Sequence, residues 1–221
     1  MRHKFDLRLL PSSPTLEIEQ DLWQRDYRAI AGLDEAGRGA LAGPLYAAAV
    51  ILPQDRSAQL LEALANVRDS KQLTARKREV AAPVIKSEAL AWGIGVCEPA
   101  EIDAIGMAKA GRLVFIRAVA SLQLAPDYLL IDYFSLPSLK LPQTALVKGD
   151  ARSLSIACAS ILAKTARDAI MRELDLGFPV YHFARNKGYG TSAHRQALLE
   201  HGTCPEHRQS FQLFKLQEEL F

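Results

Sequence analysis

The sequence predicts an α/β fold, a mixed β-sheet flanked by helices with a small helical C-terminal part. Three observations carry the prediction. Runs at 29–33, 45–52 and 127–132 are short and almost wholly apolar, as strands covered by helices are. Segments of helical length and period follow them, above all 107–124 and 153–174. Strands come first and are then interleaved with helices, the order expected of a mixed sheet.

Taken in order, residues 1–27 combine Pro11, Ser12, Ser13 and Pro14 with charged residues and read as a short helical or loose lead-in. Residues 28–221 read as one domain, including the C-terminal helical segment, and 221 residues suffice for one sizeable core. The runs 29–33 and 45–52 flank a glycine-rich turn and form a hairpin-like pair. Residues 60–65 form a short helix, and another opens after Thr74, a good N-cap. A third strand covers 89–96, Pro99 starts a short helix, and 107–124 is a long one. Strands at 127–132 and 145–147 follow. The helix at 153–174 begins with small apolar residues, suited to close packing on a sheet. An aromatic and basic loop leads to a last helix at 191–201.

Composition narrows the function classes. The formal charge of +2 neither demands nor excludes a nucleic-acid partner. The basic residues are concentrated late, with Arg185, Lys187, Arg195, Arg208 and Lys215 outnumbering Glu200 and Glu206. Cys97, Cys158 and Cys204 are odd in number and widely spaced, which argues against a disulfide framework and fits a reducing cytoplasm. His182, His194, His201 and His207 have no ligand-like spacing and no cysteine pair, so zinc is not expected. No apolar run reaches the roughly 20 residues of a membrane span, and the N-terminus lacks a signal peptide's apolar stretch. A cytoplasmic protein without membrane contact is expected, and no segment suggests an oligomer, so a monomer is expected too.

The chemistry begins at Asp34-Glu-Ala-Gly-Arg-Gly39, where two adjacent carboxylates meet a glycine turn. Hard divalent cations favour oxygen ligands held in this way. Neighbouring strand residues face opposite sides, so Asp34 and Glu35 share a site only if the strand bends or ends there. Gly37 and Gly39 supply the turn, and Arg38 between them is a phosphate contact by this reading. Asp132 closes a second apolar run, and Asp150 follows Lys148-Gly149. Four carboxylates gathered at strand ends repel one another unless cations intervene. Two divalent ions about 4 Å apart would clamp both oxygens of an in-line phosphoryl displacement. The competing reading of each acid taken alone is a solvated surface residue.

With these residues goes a set of motifs in one order: Asp69-Ser-Lys71, Lys148-Gly-Asp150, Ser155 to Lys164, Arg167-Asp168, Lys187-Gly-Tyr-Gly-Thr191 and Cys204 to Phe211. Together they resemble ribonuclease HII of the ribonuclease H-like superfamily, over about residues 28–214. The resemblance implies a ribonuclease H-like fold and an endonuclease that cuts 5′ to ribonucleotides in duplex DNA and degrades RNA in RNA/DNA hybrids. It implies that Asp34, Glu35, Asp132 and Asp150 bind Mg²⁺ or Mn²⁺. It further implies that Gly37, Arg38 and Gly39 read the ribose 2′-OH, that Tyr189 stacks on the next sugar, and that Ser70, Lys71 and Lys164 grip phosphates. An intrahelical pair with Asp168 competes for Lys164; Asp168 supports the site from behind or simply packs. Arg185, Lys187 and Arg195 form a basic track or an ordinary solvated face. Where such proteins often have a small residue after the third acid, this chain has Tyr133 and Phe134. Residues 217–221 loosely resemble a sliding-clamp-binding peptide, against a plain amphipathic helix. The alternatives are the sister ribonuclease HIII, which usually carries an N-terminal substrate-binding domain, and a non-catalytic binding module, which would be expected to lack some of the acids.

Overall fold

A five-stranded sheet in the order β3-β2-β1-β4-β5 organises the chain in the computed structural model, which describes residues 10–67 and 73–214. The strands are β1 (Ile30–Ala36), β2 (Leu45–Ile51), β3 (Ala91–Cys97), β4 (Tyr128–Asp132) and β5 (Gln143–Leu146). β2 lies antiparallel to β1 and β3, while β4 lies parallel to β1 and β5. The sheet is therefore mixed, as expected. The helices are α1 (Glu17–Gln24), α2 (Ser57–Ala63), α3 (Ala75–Glu88), α4 (Pro99–Ile105), α5 (Met107–Ala120), α6 (Leu154–Gly177), α7 (Phe183–Asn186) and α8 (Ser192–His201).

Two cores form on the two faces. Ile30, Ala48, Val50 and Leu130 pack with Ile156, Ala157, Ala159 and Ala163 of α6. Ala31, Leu33, Ala47 and Ile131 pack with Val114, Phe115 and Ala118 of α5 on the other side. The small apolar start of α6 serves the close packing expected of it. A Cβ on Gly32 would lie 2.3 Å from the carbonyl carbon of Ser155, so only glycine lets α6 seat on β1.

The residues before β1 are tied into this arrangement. Leu16, Leu22 and Trp23 are buried in the α6-side core. The buried Glu19 carboxylate accepts from the Ser153 and Ser155 hydroxyls and the Ser155 N–H, at the start of α6. Thr74 caps α3 by accepting from the Lys77 N–H. Boundaries moved by a few residues where ladders outweigh local pattern: the strand expected at 145–147 lies at Gln143–Leu146, because it pairs with Leu129 to Asp132 of β4. A third cluster, including Tyr181, Phe183, Leu198 and Leu213, makes the C-terminal part a packed appendage to α6.

Candidate active site at the strand ends

β1 and β4 are parallel with Leu33 opposite Ile131, so Asp34 and Asp132, the next residues of each, lie at the same end of the two strands. Asp132 lies opposite Leu146 of β5, after which the chain turns through Lys148, at φ 57°, into the 3-10 turn Gly149–Ala151. The Gly149 N–H donates to the Asp132 carboxylate at 2.7 Å, bringing the Asp150 turn to Asp132. Asp34 and Asp150 are 7% and 2% exposed.

The Asp34 carboxyl is pushed well above the usual carboxylate range, first by burial, then by the charges of Asp132 and Glu35 and, less, Asp150; a hydrogen bond with Ser160 of α6 opposes the rise. The other three expected acids thus each act electrostatically on Asp34. The strand was expected to end at these acids; instead β1 continues to Ala36, because β2 keeps pairing as far as Tyr46. Strict alternation follows. Asp34 lies opposite Ala48 on the α6 side and Glu35 opposite Ala47 on the α5 side. Arg38 meets Glu35 there, at 3.6 Å.

Among the described residues no three His, Cys, Asp or Glu side chains form a ready-made metal cage. The donor set nevertheless suits a hard divalent cation: it is oxygen only, and its central carboxyl is raised by burial and by like charge, the second of which a cation would relieve.

Gly37, at φ +95°, is buried, and a Cβ there would sit 2.0 Å from Arg167 Nε. Gly39 is the open position of the turn: a Cβ there would meet nothing within 4 Å. The Arg38 guanidinium lies 5.4 Å from the Phe134 ring, which itself packs edge-on against Phe115. Tyr133 takes φ +74° and is 70% exposed, which gives the physical reason a small residue suits that position.

Tyr189 is brought beside this turn. Leu41 and Ala42 N–H groups both donate to the Gly188 carbonyl, at 2.8 and 3.2 Å. Tyr189 is 37% exposed, with Lys164 Nζ 5.8 Å and the Arg167 guanidinium 5.6 Å from its ring centre. Lys164 pairs with Asp168 at 2.6 Å, so the intrahelical contact forms, and Arg78 of α3 joins the same carboxylate at 3.2 Å. Burial lowers the Lys164 pKa and Asp168 opposes this. Ser70, Lys71 and residues 217–221 lie outside the described residues.

Sequence reasoning missed Ser160, hidden in the small-residue run of α6, and the coupling of two histidines. His194 Nδ1 donates to the Tyr189 carbonyl at 2.9 Å, and its Nε2 meets His207 Nε2 at 3.0 Å. The Cys204 N–H donates to His207 Nδ1 at 3.0 Å. One neutral tautomer of each ring satisfies this chain. Burial and the neighbouring His194 hold His207 down at about 4. Thirteen residues separate the two rings in the chain, so no local spacing announces them.

A family model described as Ribonuclease HII matches residues 31–214. The ribonuclease HII of Chloroflexus aurantiacus is 52% identical over 199 residues, 90% of this chain and 93% of that protein. That of Desulfitobacterium hafniense is 50% identical over 196 residues, 89% of this chain and 73% of that protein. Among solved structures, the PCNA:RNase HII complex from Archaeoglobus fulgidus contains a chain that aligns with a TM-score of 0.71 at 23% identity, covering 87% of this chain and 98% of that one. Bst-RNase HIII in complex with Mn²⁺ aligns with a TM-score of 0.67 at 19% identity, covering 85% and 68%. At such identities the solved structures bear on the fold alone. Half-identity over nearly nine-tenths of the sequence bears on the activity, and on that ground the chain belongs to the ribonuclease HII family and is an endoribonuclease of the ribonuclease H class.

Proposed function

We propose that this protein hydrolyses the phosphodiester 5′ to ribonucleotides embedded in duplex DNA, and degrades RNA within RNA/DNA hybrids, leaving 5′-phosphate and 3′-hydroxyl ends. The observation that carries the reading is the buried Asp34 carboxyl, raised first by burial and then by Asp132, Glu35 and Asp150 at one end of the sheet, beside an open glycine backbone. Asp34, Glu35, Asp132 and Asp150 would hold Mg²⁺ or Mn²⁺, which when bound supplies activation of water and charge for the departing oxygen.

The chain's own residues hold and select. Ser160 steadies Asp34, and the Gly149 N–H steadies Asp132. Gly39 leaves room for a sugar to meet backbone groups, the chemistry that separates a ribose from a deoxyribose through its 2′-OH. Tyr189 offers the sugar of the following nucleotide an exposed ring, while Arg38, Lys164, Ser70 and Lys71 take phosphates. For Lys164 this means exchanging part of its contact with Asp168 for a phosphate. The protein acts as a monomer in this reading. Among the described residues no helix is long and apolar enough to cross a membrane.

The test is a labelled DNA duplex with one ribonucleotide, incubated with protein and Mg²⁺, beside Asp34→Asn. Cleavage 5′ to the ribonucleotide, lost in the variant, is expected. Cleavage of long hybrids alone would overturn the junction reading and move the substrate assignment to the sister class.

A further inference from the structure

Arg167 and Arg208 are both fully buried, and among the described residues neither takes part in an ion pair. Burying a guanidinium without a carboxylate in direct contact is costly, so its hydrogen bonds must supply most of the compensation. All of those bonds go to backbone carbonyls, and to only two segments. Arg167, from α6, donates through Nε to Pro44 at 2.8 Å, through Nη2 to Ala42 at 3.1 Å and through Nη1 to Lys187 at 2.9 Å. Arg208 donates through Nε and Nη2 to Gly43, at 3.0 and 2.8 Å, and through Nη1 to Arg38 at 3.1 Å.

The receiving carbonyls belong to the turn that follows the Asp34-Glu35 pair and to the loop that carries Tyr189. Backbone bonds run the same way: Gly43 N–H donates to Glu206, and Arg208 N–H to Leu41, at 2.8 and 2.9 Å. Arg167 also lies directly against Gly37 and beneath the Tyr189 ring. The planar fork of an arginine holds several acceptors in one fixed geometry, which an ammonium on a flexible stem does not. Burial lowers the pKa of both arginines, and the repulsion between them is tolerated because the carbonyls are met on both sides.

We propose that Arg167 and Arg208 are positioning residues for ribonucleotide selection, fixing the Gly37–Gly39 turn and the Lys187–Tyr189 loop in one register without touching substrate. This rests on the proposed junction specificity. If the two readers of the sugar are set against each other by these arginines, loosening them must harm recognition of a single ribonucleotide more than cutting of a continuous hybrid, where many registers present a ribose.

The experiment compares wild type with Arg167→Lys and Arg208→Lys on two Mg²⁺ assays, a duplex with one ribonucleotide and an RNA/DNA hybrid, together with amide hydrogen exchange. The ratio of single-ribonucleotide to hybrid kcat/KM is expected to fall about tenfold or more, as misplacements near 1 Å cost up to about a hundredfold. Exchange at Leu41 and Ala42 is expected to quicken while Leu33 and Ile131 stay protected. A merely structural role would lower both activities in proportion, or quicken exchange throughout, and either result overturns the proposal; so does an unchanged ratio. Should both lysine variants fail to fold, Asp103→Asn decides, because Asp103 holds the Gln209 and Ser210 N–H groups next to Arg208 from outside the core. It is expected to lower the ratio in the same sense by a smaller factor, and no change there overturns the proposal. If wild type does not cut at the single ribonucleotide, the junction reading fails, and the exchange pattern still reports whether the arginines hold the turn.

Discussion

Replacing Asp34 with asparagine is expected to make the metal-free protein more stable while abolishing cleavage. Asp34 and Asp132 follow the last paired residues of adjacent parallel strands. Strands lie about 4.8 Å apart, so carboxylates on such neighbours, about 5–7 Å apart at an effective dielectric near 20, repel by about 2–3 kcal/mol. Partial protonation and screening reduce the usable gain to about 1–2 kcal/mol. The asparagine keeps the oxygen that accepts the Glu35 N–H, so little is lost in exchange. For a protein of this length, about 1 kcal/mol moves Tm by about 2–4 °C, which gives a rise of about 2–8 °C. The sign with pH follows from the raised carboxyl: in the folded state Asp34 favours its proton, so its contribution is fullest in acid and is lost as pH rises through its folded pKa. The gap between variant and wild type should therefore widen from acid to neutral pH. Differential scanning fluorimetry in EDTA reads it directly. Millimolar Mg²⁺ should then close the gap by raising the wild type alone, since only a bound ligand stabilises. A variant that melts below wild type in EDTA at neutral pH, or a gap that does not change with pH, would refute the reasoning.

Two further outcomes follow from the packing. His207 is held at about 4 against an ordinary 6.5, so the unfolded chain takes its proton first; stability is full above about pH 6.5 and falls toward pH 4 by at most about 3 kcal/mol, and urea melts should show a shallower pH slope in His207→Asn, equal slopes counting against it. Gly32→Ala places a methyl 2.3–2.4 Å from backbone atoms of Ser155 and Ile156, which cannot move aside, so a loss of about 1–3 kcal/mol or more and a sharply lower Tm are expected; a Tm within about 1–2 °C of wild type would show that α6 is not seated by that contact.

Much of the fold was legible because short apolar runs and long helical ones are local signals. The strands 29–33 and 45–52, the cap at Thr74 and the small-residue face of α6 were all visible in one dimension, and so were the four acids as a set. Less legible was the path of β1, read as ending at Asp34-Glu35; its length depends on β2 continuing alongside. The same continuation sets Asp34 and Glu35 on opposite faces, an outcome of pairing rather than of composition.

What the sequence determined by itself was therefore the kind of chemistry: a set of four oxygen donors, a glycine turn beside the first pair, and a basic, aromatic late segment in the order of one family. What only the tertiary structure decided was which groups support that chemistry from behind. Arg167 and Arg208 read in the sequence as members of motifs with no role of their own, and Glu19 as part of a short helical or loose lead-in. Each is buried because residues more than a hundred positions away present it with hydrogen-bond partners: Pro44 to Arg167, Gly43 to Arg208 and Ser153 to Glu19. A charge can leave water only when such partners are already in place, and no pattern of neighbours along the chain encodes that condition.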